Sequence, residues 1–160
     1  MLADYQSLFE IRPANYDDIP AIKKITSEAF KKYREMADTD NIEALNETED
    51  DIKRDIDTKI VLIALTDGIP VGSVRVEVFP DKTAYLTRFA VKIDSQNNGI
   101  GKSIMNLVDR IMMKKGIRKI SLHTGSKVTP LIRFYYGRGF YIESTGNEKG
   151  YVRALLVKEY

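Results

Sequence analysis

The sequence predicts an α/β protein, one mixed sheet with helices on both faces, in the order β-α-α-β-β-β-α-β-α-β-β. Three observations carry this. Lys59 to Ile93 reads as three consecutive strands joined by tight turns, an antiparallel meander. After the loop Gln96-Asn97-Asn98-Gly99-Ile100-Gly101-Lys102-Ser103 the apolar period becomes helical. That helix leads into another strand, Ile117 to His123, and a strand reached through a helix pairs parallel to the one before it.

The first strand is expected at Leu8 to Arg12, ahead of Pro13. Asn15 or Asp17 can cap the next helix, whose inner face is Ile19, Ile22, Ile25 and Ala29. Pro20 falls in its first turn, where a missing N–H costs little. A polar stretch, Arg34 to Asn46, precedes a short helix with Ile52 and Ile56 inside, opened by the capping box of Thr48 and Asp51. In the meander, Lys59 to Leu65 is nearly all apolar and Asp67-Gly68 signals a tight turn. Val71 to Phe79 alternates Val74, Val76 and Val78 against Ser73, Arg75 and Glu77. After Pro80-Asp81-Lys82 the chain returns over Thr83 to Ile93.

The long helix carries Ile100, Ile104, Leu107, Val108, Ile111 and Met112 on one stripe and stops at Gly116. Thr129-Pro130 starts the last helix, which ends near Gly137 or Gly139. Phe140 to Ser144 and Tyr151 to Lys158 close the chain.

The 160 residues suit a single domain over 1–160 with one core. A composition 43% hydrophobic and 30% charged is that of a soluble globular protein. No apolar run approaches the roughly 18–20 residues of a membrane span. The opening MLADYQSLFE lacks the basic start and apolar core of a signal peptide. A cytoplasmic protein with no membrane partner is therefore expected. Zero cysteines and one histidine exclude disulfides, a cysteine nucleophile, thiolate zinc and multi-histidine metal sites. No acidic cluster suggests magnesium, so no metal is expected.

The net charge of +2 is unevenly spread. Acids crowd between Asp38 and Asp57, opposed only by Lys53 and Arg54, and basic residues lead from Leu86 onward. Nucleic-acid binding is one reading of a basic half. These residues are scattered with no aromatic-interleaved run, so they read as solvated faces and no nucleic-acid partner is expected.

The glycine loop is the most informative stretch. A helix N-terminus offers unpaired N–H groups and partial positive charge, glycines let backbone approach a ligand, and Lys102 adds a full charge. Spacing must say which anion is meant. A Walker A loop needs glycine at 96, where Gln96 stands. A dinucleotide fingerprint matches Gly99 and Gly101 but has Ile104 at its third glycine.

A third pattern fits. Leu86-Thr87-Arg88-Phe89-Ala90-Val91 through Gln96, Gly99 and Gly101 resembles the acetyl-CoA motif of the GNAT superfamily of N-acetyltransferases, with Ile93 where that motif usually has proline. Phe134-Tyr135-Tyr136-Gly137-Arg138-Gly139-Phe140 resembles the family's [LF]-Y-x-x-x-G-F, and Ile11-Arg12-Pro13-Ala14 with Asp17-Asp18 its usual opening. The resemblance covers nearly the whole chain and implies a GNAT-like fold.

It further implies acetyl-CoA as co-substrate. By position, Gln96, Asn98, Gly99, Gly101, Lys102 and Ser103 would hold the coenzyme A pyrophosphate. The pantetheine arm would pair with strand backbone near Phe89 and Val91. The acceptor, a primary amine of a small molecule or peptide, would enter from the opposite side. Without cysteine, direct attack in a ternary complex is the implied route. Tyr135 matches the family's general acid, with Tyr136 as the alternative.

The glutamate that many relatives carry on the fourth strand is missing here. Tyr85, Glu77 and His123 are the candidate bases, beside a water relay with no single base. Acid in the stretch Asp38 to Asp57 would draw a cationic amine, and Glu47 is the carboxylate singled out to bind it. The resemblance leaves monomer and homodimer open. A non-catalytic acetyl-CoA sensor or scaffold is the alternative function, and a P-loop phosphotransferase is opposed by Gln96.

Overall fold

A computed structural model describes residues 9–96 and 98–160; Leu8 of the expected first strand and Asn97 of the glycine loop lie outside them. The strands are β1 (Glu10–Pro13), β2 (Ile60–Thr66), β3 (Ile69–Val78), β4 (Thr83–Val91), β5 (Lys119–Gly125), β6 (Tyr141–Gly146) and β7 (Arg153–Glu159). The helices are α1 (Ile19–Ala37), α2 (Glu49–Thr58), α3 (Ile100–Lys114) and α4 (Thr129–Gly137). The seven strands form one sheet in the order β1-β2-β3-β4-β5-β7-β6. All neighbours run antiparallel except β4 and β5, which are parallel.

The two faces are covered by different helices. On one, Ile104, Val108 and Met112 of α3 pack on Val74, Val76, Leu86 and Leu122. On the other, Ile19 and Ile22 of α1 and Ile52 of α2 pack on Val61, Ile63 and Leu65. Each fully buried aliphatic side chain contributes about 1.5–3 kcal/mol. No helix among the described residues is long and apolar enough to cross a membrane.

Local chemistry explains most boundaries. The Thr48–Asp51 capping box forms in both directions and opens α2. Asp67 and Gly68 both take positive φ, the pair of left-handed residues a type I′ hairpin turn needs. The end of α3 is a Schellman motif, with Ile117 N–H donating to Met112 O and Gly116 N–H to Met113 O. The end of α4 repeats it, with Phe140 N–H donating to Tyr135 O and Gly139 N–H to Tyr136 O. The Phe140 ring then packs edge-on against Tyr135 at 5.6 Å.

Several expectations need correction. The stretch after Arg34 is not a plain polar loop: α1 runs to Ala37, and Ile42 and Ala44 are buried. Asn15 caps only a short 3-10 turn, Tyr16–Asp18, ahead of α1. α4 starts at Thr129, as expected, and Val128 is its cap residue. In β3 the polar half of the alternation is mostly buried, and only Glu77 of its three residues stays partly exposed. Ser73 and Arg75 are each 1% exposed, because α1 and α2 cover that face.

Candidate active site

The site is a split in the sheet. The parallel ladder joins Thr83 to Lys119, Ala84 to Ile120 and Tyr85 to Ser121, and no further. Beyond it β4 runs on to Val91 and β5 to Gly125, so the two strands part. On its other edge β4 carries an extra residue against β3 between the pairs Ser73–Ala90 and Arg75–Thr87. Arg88, in that bulge, takes a positive φ of 53°. The result is a cleft of about 720 Å³ lined by β4, β5, α1 and α4.

The glycine loop closes one end. Gly99 caps α3 with φ 82°, and no side chain caps the helix. The first bond inside α3 runs from Ser103 N–H to Gly99 O, which leaves the N–H groups of Ile100, Gly101 and Lys102 without partners in the helix. Gly99, Gly101 and Lys102 line the cleft, with Phe89, Val91 and Gln96. A Cβ on Gly101 would stand 3.0 Å from the Phe89 ring and 3.5 Å from Phe134, so the bare glycine keeps this passage open. Gln96 braces the loop by donating from Nε2 to Val91 O at 3.2 Å. Asn98 and Ser103 do not line the cleft. These features fit a pyrophosphate held by backbone amides beside a lysine.

Tyr135 forms part of the wall. It is 4% exposed and sits among Phe89, Phe134 and Phe140, whose rings lie 5.4–6.1 Å from it. Burial raises its phenol well above the ordinary tyrosine value. Tyr136 points away, accepting a hydrogen bond from Ile142 N–H, and does not line the cleft.

The candidate bases separate. Tyr85 and His123 meet in the cleft, with Tyr85 Oη 2.5 Å from His123 Nδ1. Burial raises the Tyr85 phenol, against the opposing pull of Arg153 and Arg88. Burial, and after it Arg153, lowers the His123 imidazole. With the neutral imidazole carrying its proton on Nε2, Tyr85 O–H donates to Nδ1. Glu77 lies outside the cleft lining, 4.0 Å from Lys59 Nζ.

Glu47 is buried elsewhere. Its two oxygens accept from Arg75 Nη1 and Nη2 at 2.7 and 2.8 Å, and Arg88 Nε lies 3.4 Å from it. The acidic stretch is largely consumed internally. Asp55 also binds Arg75, Asp51 accepts from Thr48 N–H, Asp57 accepts from Tyr16, and Glu43 pairs with Lys149. It leaves no carboxylate at Glu47 free for an amine.

The sequence reading missed Arg75, Arg88 and Arg153. Arg75 stands in the sequence only as one polar residue of the β3 alternation, and nothing local shows that it is buried. A bulge such as that at Arg88 has no composition signal. Arg153 belongs to a strand with no readable motif, and reaches the cleft only because β7 inserts beside β5, with Arg153 opposite Gly125.

A mixed sheet split between parallel strands, with a glycine-opened helix at the mouth, defines the coenzyme-A-dependent acetyltransferase fold. The chain belongs to the acetyltransferase (GNAT) family, whose model matches residues 21–140. It is 26% identical to a spermidine N(1)-acetyltransferase of Thermoplasma acidophilum, over 85% of this chain and 90% of that protein. The crystal structure of the PaiA N-acetyltransferase from Thermoplasma acidophilum in complex with coenzyme A superposes with a TM-score of 0.83 at 22% identity, covering 95% of this chain and 99% of that one. The ribosomal-protein-S18-alanine N-acetyltransferase from Escherichia coli gives a TM-score of 0.76 at 15% identity, over 94% and 93%.

Proposed function

We propose that this chain transfers the acetyl group of acetyl-CoA to a primary amine of a small molecule or peptide, by direct attack within a ternary complex. The observation that carries this is the split between β4 and β5, with uncapped helix amides at one end, Tyr135 in its wall and the Tyr85–His123 pair beside it. Acetyl-CoA supplies the activated acyl carbon. The amides of Gly101 and Lys102, with the Lys102 ammonium, hold its pyrophosphate, and the parted half of β4 near Phe89 and Val91 holds its arm.

The remaining chemistry belongs to side chains and backbone. A carbon–nitrogen bond forms as the carbon–sulfur bond breaks. The amine gives its proton to Tyr85 Oη while that phenol passes its own to His123 Nδ1, which is neutral at pH 7 and able to accept it. Tyr135, kept protonated by burial, gives a proton to the departing sulfur. A backbone N–H on the parted half of β4 polarises the carbonyl. Glu77 and Glu47 have no part in this scheme.

Thiol release from acetyl-CoA with a panel of amines tests it. Tyr135→Phe is expected to keep acetyl-CoA affinity and lower turnover by about 100-fold or more. Unchanged turnover removes Tyr135 as the acid. Binding of acetyl-CoA without thiol release for any amine favours a sensor or scaffold instead.

A further inference from the structure

The second end of the cleft, beside Tyr85 and His123, is basic. Arg153 and Arg88 both line it, and the charge of each reaches Tyr85 and Glu43. The nearby acids form no ion pair with Arg153: Glu148, whose charge reaches His123, makes none with either arginine among the described residues. Glu43 is taken by Lys149 at 2.6 Å, and both oxygens of Glu47 by Arg75. Arg153 has no ion pair among the described residues; its guanidinium bears on the Tyr85 phenol, while its Nε is buried with no hydrogen-bond partner. Arg88 reaches a carboxylate only through Nε, at 3.4 Å from Glu47.

The coenzyme pyrophosphate does not answer this charge. It belongs with the loop beyond Val91, and Tyr85 precedes Val91 on β4 by roughly 20 Å of strand. A guanidinium donor buried without a partner costs free energy unless a ligand completes it. Its planar fork matches a carboxylate. A polyamine would instead bring cations against two guanidiniums.

We infer that the acceptor is an amine that also carries a carboxylate, an amino-acid-like molecule held by Arg153 and Arg88 with its amino group turned to Tyr85 and His123. This rests on the N-acetyltransferase reading above. It separates this chain from polyamine acceptors, despite its likeness to a spermidine acetyltransferase.

The test is thiol release with amino acids, each beside its α-amide and its decarboxylated amine, with spermidine alongside and rates referred to the free-base amine. The free acids are expected to exceed their amides in kcat/KM by about tenfold or more. Arg153→Gln should erase that preference, and Arg153→Lys should keep part of it. Amides, simple amines or spermidine used as well as the acids would overturn the inference and leave the acetyltransferase reading standing. So would a preference that survives both Arg153→Gln and Arg88→Gln. Acetyl-CoA binding with thiol release for no amine would overturn both.

Discussion

Replacing Glu47 with alanine separates two roles for this residue, acceptor binding and internal support. Arg75 is 1% exposed and Glu47 6%, so neither charge of the pair is solvated. Arg75 Nε already lacks a hydrogen-bond partner. Burial alone would disfavour the guanidinium charge; Glu47 and then Asp55 outweigh it and hold the Arg75 pKa above its ordinary value. Removing one partner from a buried pair costs about 3–5 kcal/mol. Asp55 remains 2.9 Å from Nη1, but it is 19% exposed and touches only one nitrogen. The expected loss is therefore at the lower end, about 3 kcal/mol. For a chain of this size that is a fall of roughly 6–12 °C in Tm. Thermal melting followed by circular dichroism measures it directly. The pair Glu47→Leu with Arg75→Met should recover most of the loss, because apolar residues of similar size replace a buried ion pair at little cost. A Tm fall under about 2 °C, with a rise in KM for the amine and none in KM for acetyl-CoA, would refute the reasoning and return Glu47 to the acceptor.

Gly101→Ala places a methyl 3.0 Å from Phe89, in the passage between loop and cleft. It should weaken acetyl-CoA binding about tenfold by calorimetry while the fold survives, since overpacking of this kind costs about 1–3 kcal/mol. Unchanged affinity would move the coenzyme out of this passage. Tyr85→Phe and His123→Asn remove one proton path, so each alone should lower kcat about as much as both together; additive losses would break the proposed relay. His123 also sets the acid side of the pH profile. Its folded pKa lies below the ordinary 6.5, so the neutral form and its stability are present above 6.5 and lost as pH falls through the folded value. The acid limb of kcat/KM should therefore inflect below 6.5, and His123→Asn should remove that limb.

Much of the fold was legible because it rests on local chemistry. The Asp67-Gly68 turn, the Thr48 capping box, the apolar stripe of α3 and the stop at Gly116 are decided within a few residues, and each formed as the sequence implied. The parallel pairing of β4 with β5 followed from the helix between them. The shape of the glycine loop was legible for the same reason, since the left-handed turn at Gly99 and the close approach of Phe89 to Gly101 depend on backbone. The far end of the cleft, beside Tyr85 and His123, was not. Whether Glu47 faces an amine or a guanidinium depends on Arg75, 28 residues away on a strand whose polar face two helices bury. The convergence of Arg88, Arg153 and His123 depends on a bulge and on β7 inserting beside β5, neither of which leaves a local pattern. The Tyr85–His123 contact also crosses strands, so the sequence could name both residues without joining them.

The measurement that bears most directly on the account is a thermal-shift titration with acetyl-CoA, free CoA and Mg-ATP in parallel. At about 100 times its dissociation constant a ligand adds roughly 2.7 kcal/mol, a shift of about 5–11 °C here. Stabilisation by acetyl-CoA and CoA but not by ATP is the predicted result. Stabilisation by ATP alone, or by none of the three, would contradict a coenzyme A site at Gly99, Gly101 and Lys102.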